Sequence, residues 1–273
     1  MRSGVTQYRA VFLSDWHLGS AGCKHEALQD FLWRVETEHL YLVGDIIDGW
    51  VGRGSAKWTQ ECTNVVRTVL GKSKQGVQVY YTPGNHDAFL RRANGSELGN
   101  IQVDHSFVHT TADGRDLLVV HGDLFDTTVT KYVPVAWAGA WIHEYMTILN
   151  AHINDSFRKQ RRPVDFASSL KLAVKRLIWR KDDFEVSLLE YAKENGCQGV
   201  VCGHIHRPEI NEHTDGRVYI NCGDWVQNCT AVVEHHDGTL ELIYWHDTKE
   251  KESVAPASVR PVKVNRLASI LKR

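Results

Sequence analysis

The sequence lacks the marks of several protein classes. Its 32 Lys and Arg residues are balanced by 33 Asp and Glu residues, so the broad basic excess of a general nucleic-acid binder is missing. The six cysteines form no C-x-x-C pair, which argues against a disulfide framework and favours a reducing cytoplasm. No long apolar segment precedes Asp15, so we expect no signal peptide. Neither a P-loop nor a Ser-His-Asp pattern is evident.

What the chain does contain is typical of a globular α/β protein. It has 273 residues, of which 42% are hydrophobic, enough for one large domain or a core with an insertion. In the first half, apolar runs alternate with helically spaced apolar residues, which predicts strand–helix–strand units and a largely parallel sheet. The predicted strands are Arg9–Ser14, His39–Val43 and Val77–Tyr81, and the predicted helices are Lys24–Val35 and Lys57–Leu70.

The character of the sequence changes in the middle of the chain. Residues 127–183 are helical in pattern, rich in Trp and basic in patches, and strand patterns lie on both sides of them. These strands are predicted at Asp116–Val120, Gly199–Cys202, Val218–Asn221, Thr230–Glu234 and Leu240–Trp245. We therefore predict a core of residues 1–126 and 184–249, a helical insertion at 127–183 and a basic tail at 250–273.

Five predicted strands are followed by side chains that bind metals or form hydrogen bonds. The motifs, in chain order, are Asp15-x-His17, Gly44-Asp45 with Asp48, Gly84-Asn85-His86-Asp87, His121-Gly122-Asp123 and Gly203-His204-x-His206. Each motif alone is weak, because a lone D-x-H or H-x-H is usually a surface pair or a buried structural histidine. Five at the carboxyl ends of strands, where open α/β sheets bind ligands, predict one shared site. Histidines outside the motifs, such as His109, are expected mostly at the surface.

The residue types in these motifs indicate the class of metal. Imidazole nitrogen, carboxylate oxygen and an amide oxygen, with no thiolate, suit Mn, Fe or Zn better than Ca or an iron–sulfur cluster. Two such ions about 3.5–4 Å apart could share a carboxylate and hold a phosphoryl group between them. We expect two divalent cations, with Mn first and Fe and Zn as the alternatives.

The five motifs, in this order, resemble those of the calcineurin-like metallophosphoesterases. The resemblance extends from Asp15 to His206 and implies a four-layer αββα sandwich with a helical insertion. It also implies the ligand sets. The first metal would be held by Asp15, His17 and His206, the second by Asn85, His121 and His204, and Asp45 would bridge both.

The same resemblance gives His86 and Asp48 catalytic roles. His86 would donate a proton to the leaving oxygen or stabilise its charge, a task suited to a group that titrates near neutrality. Asp48 would orient that histidine, as the Asp of the second motif does in the wider superfamily. The alternative is that His86 only caps a turn.

Within the superfamily the chain is most similar to the bacterial UDP-2,3-diacylglucosamine diphosphatases. Trp50 at the end of "GDIIDGW", the "HGD" form of the fourth motif and the insertion support this. The third motif differs from that of these enzymes, which typically have Gly-Asn-Arg-Asp where this chain has Gly-Asn-His-Asp. The similarity implies cleavage of a lipid-linked nucleotide to lipid monophosphate and UMP. The alternatives are another phosphodiester or phosphomonoester as substrate, or a non-catalytic metal-binding scaffold at the membrane.

The predicted insertion contains candidate substrate-binding bases. Lys171, Lys175 and Arg176 recur at helical spacing among apolar residues, which is typical either of an ordinary amphipathic helix or of a lid that meets an anionic lipid surface. Together with Trp50 they are our predicted substrate-binding residues. We expect a cytoplasmic protein, peripheral on the inner face of the membrane, with no nucleic-acid partner.

Overall fold

The computed structural model describes residues 5–49, 58–126 and 181–245. Its elements are β1 (Thr6–Leu13), α1 (His25–Arg34), β2 (Val35–Val43), α2 (Gln60–Lys74), β3 (Gln78–Thr82), β4 (Ser96–Leu98), β5 (Ile101–Val103), β6 (Phe107–Thr110), β7 (Asp116–Val119), α3 (Lys181–Glu194), β8 (Gly199–Cys202), β9 (Glu209–Glu212), β10 (Val218–Asn221), β11 (Thr230–Glu234) and β12 (Leu240–Tyr244). Short 3-10 helices cover Ala88–Ala93 and Asp123–Phe125.

The strands form two mixed sheets. The first has the order β12-β11-β1-β2-β3-β5-β4, and the second has the order β6-β7-β8-β10-β9. In each sheet the central pairs are parallel, β1–β2, β2–β3 and β3–β5 in the first and β7–β8 and β8–β10 in the second. The outer pairs are antiparallel.

The alternation of side chains along β1 explains why the two sheets lie face to face. Val11 and Leu13 belong to one apolar cluster with buried residues of α1 and α2, such as Phe31. Ala10 and Phe12 belong to a second cluster with residues of the second sheet. Because successive side chains of a strand point to opposite faces, the first sheet is covered by helices on one face and by the second sheet on the other.

The second sheet is also buried on both faces. Leu118, Val200 and Tyr219 are buried, although they alternate with the residues that face the first sheet. The later part of α3 buries Leu188 and Leu189, as expected of a helix that covers a sheet. The fold is mixed α/β with two sheets flanked by helices, which confirms the predicted architecture.

The chain divides into two compact units. One consists of Met1–Asp123 and Leu188–Arg273, and the other of Leu124–Ser187. All twelve described strands lie in the first unit. The predicted insertion falls almost wholly outside the described residues, so its helical character stays a prediction. In the described part of the chain, no helix is both long and apolar enough to cross a bilayer.

Candidate metal centre

The strand ends bring the predicted site residues to one edge of the two sheets. Asp15 and His17 follow β1, Asp45 and Asp48 follow β2, and Asn85 and His86 follow β3. These three strands are parallel neighbours in the first sheet. His121 follows β7, and His204 and His206 follow β8, its parallel neighbour in the second sheet. The site is thus built from both sheets.

The backbone is strained where these residues lie. Six described non-glycine residues have a positive φ between 49° and 68°, namely Asp15, His17, Asp45, His204, His206 and Cys229. Five of the six are predicted metal ligands. A non-glycine residue in this region costs on the order of 1–3 kcal/mol and persists only where its surroundings enforce it, typically at functional sites. Here the amide of Asp15 donates to Gly44 O at 3.0 Å and that of His17 to Asp45 O at 2.9 Å.

Two glycines of the motifs allow side chains to approach the backbone closely. A Cβ on Gly84 would collide with the Asp45 carboxylate, and a Cβ on Gly203 would collide with the Asp15 carboxylate. Neither glycine has a positive φ. Glycine is therefore needed at these positions because a side chain does not fit, and not because of the backbone conformation. The glycines therefore fix where the two carboxylates can lie.

One half of the site consists of Asp15, His17 and His206. His206 Nε2 lies 3.2 Å from Asp15 Oδ1 and 3.3 Å from His17 Nε2, and His17 Nε2 lies 3.8 Å from Asp15 Oδ1. One ligand-type atom from each residue falls within 4.8 Å of the others. This is the set predicted for the first metal.

The other half consists of Asp45, His121 and His204, whose ligand-type atoms also lie within 4.8 Å of one another. His121 donates from Nδ1 to Val43 O at 2.9 Å, which leaves Nε2 towards Asp45 Oδ2 at 3.4 Å. Asp45 forms a further group with His17 and His86. It is therefore close to His17 of the first half as well as to His121 and His204, as a bridging carboxylate would have to be.

His86 lies beside this cluster and not apart from it. Its ring centroid is 4.5 Å from that of His17, and its amide donates to Asp45 Oδ1 at 2.8 Å. Its Nδ1 is 3.2 Å from Asp48 Oδ1. The structure thus brings Asp48 against His86, as an orienting carboxylate requires.

Asp87 stabilises the loops that carry the ligands. Its carboxylate accepts hydrogen bonds from the Ile46 amide at 2.8 Å, the Tyr81 hydroxyl at 2.6 Å and the Gly84 amide at 2.5 Å. It is fully buried. The third motif is therefore held to the second by a side chain that belongs to none of the candidate ligand groups.

The charges of the cluster are strongly coupled. Burial alone would raise the pKa of Asp45, but His121 and His86 outweigh it and hold that pKa below its ordinary value. Burial alone would lower the pKa of His121, but Asp45 and Asp15 raise it to about 10. The carboxylates thus attract positive charge, and a divalent cation would compete with a proton for His121 Nε2.

The atoms present fit a metal site. Asn85 Oδ1 is buried without a hydrogen-bond partner among the described residues, whereas Asp15 Oδ1 and His121 Nε2 face other ligand-type atoms, at 3.2 Å and 3.4 Å. An unpaired buried polar atom costs about 1–3 kcal/mol, and metal coordination would remove that cost. Carboxylate, amide and imidazole donors suit Mn, Fe and Zn.

Two residues at the site were not predicted from the sequence. Asp224 is fully buried and lies 3.8 Å from His206 through Oδ2 and Nδ1, and Asn228 donates to His206 O at 3.1 Å. The pattern that could have indicated them is Gly223-Asp224, which follows Cys222 just beyond β10. The predicted substrate-binding residues Trp50, Lys171, Lys175 and Arg176 lie outside the described residues.

The comparison with known families agrees with this geometry. The sequence model of the family described as Calcineurin-like phosphoesterase matches residues 8–208, which include every predicted metal ligand. The chain belongs to this family. As a calcineurin-like phosphoesterase it is a metal-dependent phosphohydrolase.

Among curated relatives, the chain is similar to two enzymes of the same name. The UDP-2,3-diacylglucosamine hydrolase of Haemophilus influenzae (strain PittGG) is 25% identical over 82% of this chain and 94% of the relative. That of Shewanella piezotolerans is 24% identical over 86% and 97%. Among solved structures, Vacuolar Protein Sorting 29 from Cryptosporidium Parvum is 12% identical with a TM-score of 0.45, covering 88% of this chain and 93% of that one.

Proposed function

We propose that this phosphoesterase uses two divalent cations. Asp15, His17 and His206 would hold one, Asn85, His121 and His204 the other, and Asp45 would bridge them. The observation that supports this most directly is the membership of Asp45 in candidate groups on both sides of the site. The buried Asn85 Oδ1, which has no hydrogen-bond partner among the described residues, adds to it.

Different groups at the site would then perform different parts of the reaction. Bound divalent cations would neutralise charge on the phosphoryl oxygens and lower the pKa of water near them. His86, half-buried at the rim of the cluster, would donate a proton to the departing oxygen. Asp48 accepts from His86 Nδ1–H and would thereby orient the imidazole for this task.

The substrate that we propose is a UDP-linked diacylated glucosamine, cleaved at its pyrophosphate to lipid monophosphate and UMP. The names of the relatives, which align over most of their own length, support it. Because the substrate bears acyl chains, the enzyme would work at the inner face of the membrane. None of the six cysteines, all of which lie in the described part of the chain, forms a disulfide, which is consistent with the cytoplasm.

The test is a comparison of substrates and metals. Protein purified without chelator should contain close to two transition-metal ions per chain, and Mn should restore activity after chelation. It should release UMP from UDP-2,3-diacylglucosamine faster than it hydrolyses UDP-glucose or nitrophenyl phosphate at equal concentration. Failure to bind metal even after reconstitution would contradict the proposal.

A second candidate function rests on one residue. His86 stands where the diphosphatases resembled typically have Arg, and an imidazole cannot make the bidentate contact with a pyrophosphate that a guanidinium makes. Faster hydrolysis of a simple phosphodiester such as bis-nitrophenyl phosphate, with intact metal content, would favour a different phosphodiester as the natural substrate.

A further inference from the structure

The loop after β10, Cys222–Cys229, packs behind one half of the metal centre. Asp224 is its centre and is fully buried. One carboxylate oxygen, Oδ1, accepts hydrogen bonds from three successive amides, those of Val226, Gln227 and Asn228, at 2.8, 2.5 and 3.2 Å. These three bonds are those expected of a carboxylate that caps its own loop. They involve only one of its two oxygens.

The second oxygen of Asp224 faces a predicted metal ligand. Oδ2 lies 3.8 Å from His206 Nδ1, whereas His206 Nε2 is directed to the opposite side, 3.2 Å from Asp15 Oδ1. The imidazole therefore has a ligand carboxylate on one side and a buried carboxylate on the other. A histidine that binds metal through one nitrogen commonly donates from the other to a carboxylate, which fixes its tautomer and raises its basicity.

The side chain of Asn228 contacts the backbone of the same histidine. Its side-chain amide donates both to His206 O, at 3.1 Å, and to Asp224 Oδ2. His206 has a φ of 54°, a conformation that needs support from its surroundings. In the same loop, the Trp225 amide donates to Asp15 O at 3.0 Å. The loop thus positions two of the three predicted ligands of the first metal.

The other half of the site has a different support. His121 Nδ1 bonds to a neutral backbone carbonyl, Val43 O, at 2.9 Å. One imidazole is therefore backed by a carboxylate and the other by a peptide group. A negative charge behind a ligand strengthens its interaction with a cation, and in a buried site solvent screens it little.

We propose that Asp224 is a positioning residue for His206 and makes the position formed by Asp15, His17 and His206 the tighter of the two. This inference rests on the proposed two-metal function. It assigns to Asp224 a role beyond capping its own loop, and it predicts that the two ions bind with unequal affinity.

The test is Asp224→Asn, measured by metal binding and not only by turnover. The amide oxygen of Asn can still accept from the three loop amides, whereas the negative charge towards His206 is lost. Titration of apo-protein with Mn in competition with a chelator should resolve two constants in the wild type. In the variant the tighter constant should weaken about 10- to 100-fold, and the Tm of the apo-protein should fall no more than it does in Asn228→Ala, which loses the same hydrogen bond to Oδ2.

Two further variants complete the experiment. Asp237→Asn is the matched control, because Asp237 is exposed and also accepts from a turn amide, that of Thr239; it should leave both constants unchanged. Asn228→Ala removes the amide that holds His206 O but keeps the carboxylate, so it should weaken the same constant by a smaller factor.

The outcomes separate this inference from the proposed function. If the wild type binds no metal, the two-metal function fails, and the inference with it. If the wild type binds two ions and neither Asp224→Asn nor Asn228→Ala changes the tighter constant, only the inference is overturned. An equal fall in Tm for apo- and metal-bound Asp224→Asn, with unchanged constants, would show that Asp224 only caps its loop.

Discussion

At the scale of single residues, His86 is the one whose proposed role turnover can test. It lies next to the candidate ligands without being needed to complete either predicted set, and Asp48 holds its Nδ1 at 3.2 Å. If it protonates the leaving oxygen, His86→Ala should keep the metal content of the wild type. Turnover of a substrate with a poor leaving group should fall by roughly 10²- to 10⁴-fold.

The choice of substrate distinguishes acid catalysis from binding. A nitrophenolate leaves without much protonation, so the loss for a nitrophenyl ester should be much smaller than for an alkyl ester. Asp48→Asn should show the same pattern at lower amplitude, because it keeps His86 but weakens its orientation. An equal loss on both substrates would mean that His86 binds phosphate or supports the fold.

The predicted ligands could be found from the sequence because each follows an apolar run as a short motif. The side-chain arrangement could not be found in this way. The approach of His206 to Asp15 across the two sheets depends on tertiary packing, as does the burial of Asp224 behind it. Asp224 follows a strand just as Asp45 does, but a lone Gly-Asp is common in turns and carried no weight by itself.

At the scale of elements, the turn after β3 has no room for a larger side chain at Gly84. A methyl group on Gly84 would collide with the Asp45 carboxylate and with the His121 ring. Gly84→Ala should therefore displace the Asp45 carboxylate, for which we propose a bridging role, and lower the affinity for metal in both proposed positions. Isothermal titration of the apo-protein with Mn would measure the change.

A second glycine provides the control for this substitution. Gly71 lies within α2, and a Cβ placed there would have no described atom within 4 Å apart from its chain neighbours and the backbone of its own helix. Gly71→Ala should leave metal binding unchanged and stabilise the protein by up to about 1 kcal/mol, because Ala is the better helix former. Unchanged metal binding by Gly84→Ala would contradict the steric role of that glycine.

The longer elements could be predicted and the shortest could not. β8, β10 and β11 have their predicted bounds, because their apolar runs end at polar or glycine residues. β4 and β5 have three residues each, too few to show a period. β2 begins at Val35 and not at His39, since α1 passes into it without a loop. α2 continues to Lys74 through a polar segment without apolar periodicity.

At the scale of the whole molecule, a buried polar cluster joins the two sheets. Glu234 of β11, in the first sheet, is fully buried. It accepts from Arg9 Nη1 at 2.7 Å and from His109 Nε2 of β6, in the second sheet, also at 2.7 Å. The Tyr41 hydroxyl is 2.9 Å from His109 Nδ1. His109 is thus an exception to the expectation that histidines outside the motifs lie at the surface.

This cluster predicts how stability depends on pH. Burial would raise the pKa of Glu234, but His109, the Ala112 amide and Arg9 lower it below its ordinary value. An acid with a lowered pKa stabilises the fold above its unfolded pKa, about 4.3. That contribution is lost as the pH falls through the folded value. Glu234→Gln should cost about 3–5 kcal/mol at neutral pH, and its difference from wild type should shrink below about pH 4.3.

Urea unfolding in the presence of a chelator, at pH values from 7 down to 3.5, measures this difference without a contribution from metal. Glu212→Gln is a suitable control, because Glu212 lies on the edge strand β9 with a more exposed side chain. It should change the free energy of unfolding by less than about 0.5 kcal/mol. A pH-independent difference for Glu234→Gln would show that its charge does not stabilise the fold.

The alternation of strands and helices was enough to predict an α/β fold, and the family resemblance supplied the sandwich. The division of strands between two sheets could not be read from periodicity. Most of the strands concerned are buried on both faces and have continuous apolar runs, so the pattern does not show which sheet each one joins.

The position of β1 also has a consequence for biosynthesis. β1 is central in the first sheet and pairs with β2 on one side and with β11 on the other. β2 is translated soon after β1, whereas β11 begins only at Thr230, long after β1 ends at Leu13. At about 5–20 residues per second, one edge of β1 would stay open for on the order of tens of seconds. During that time, a chaperone that covers exposed strand edges would protect the nascent chain from wrong pairing.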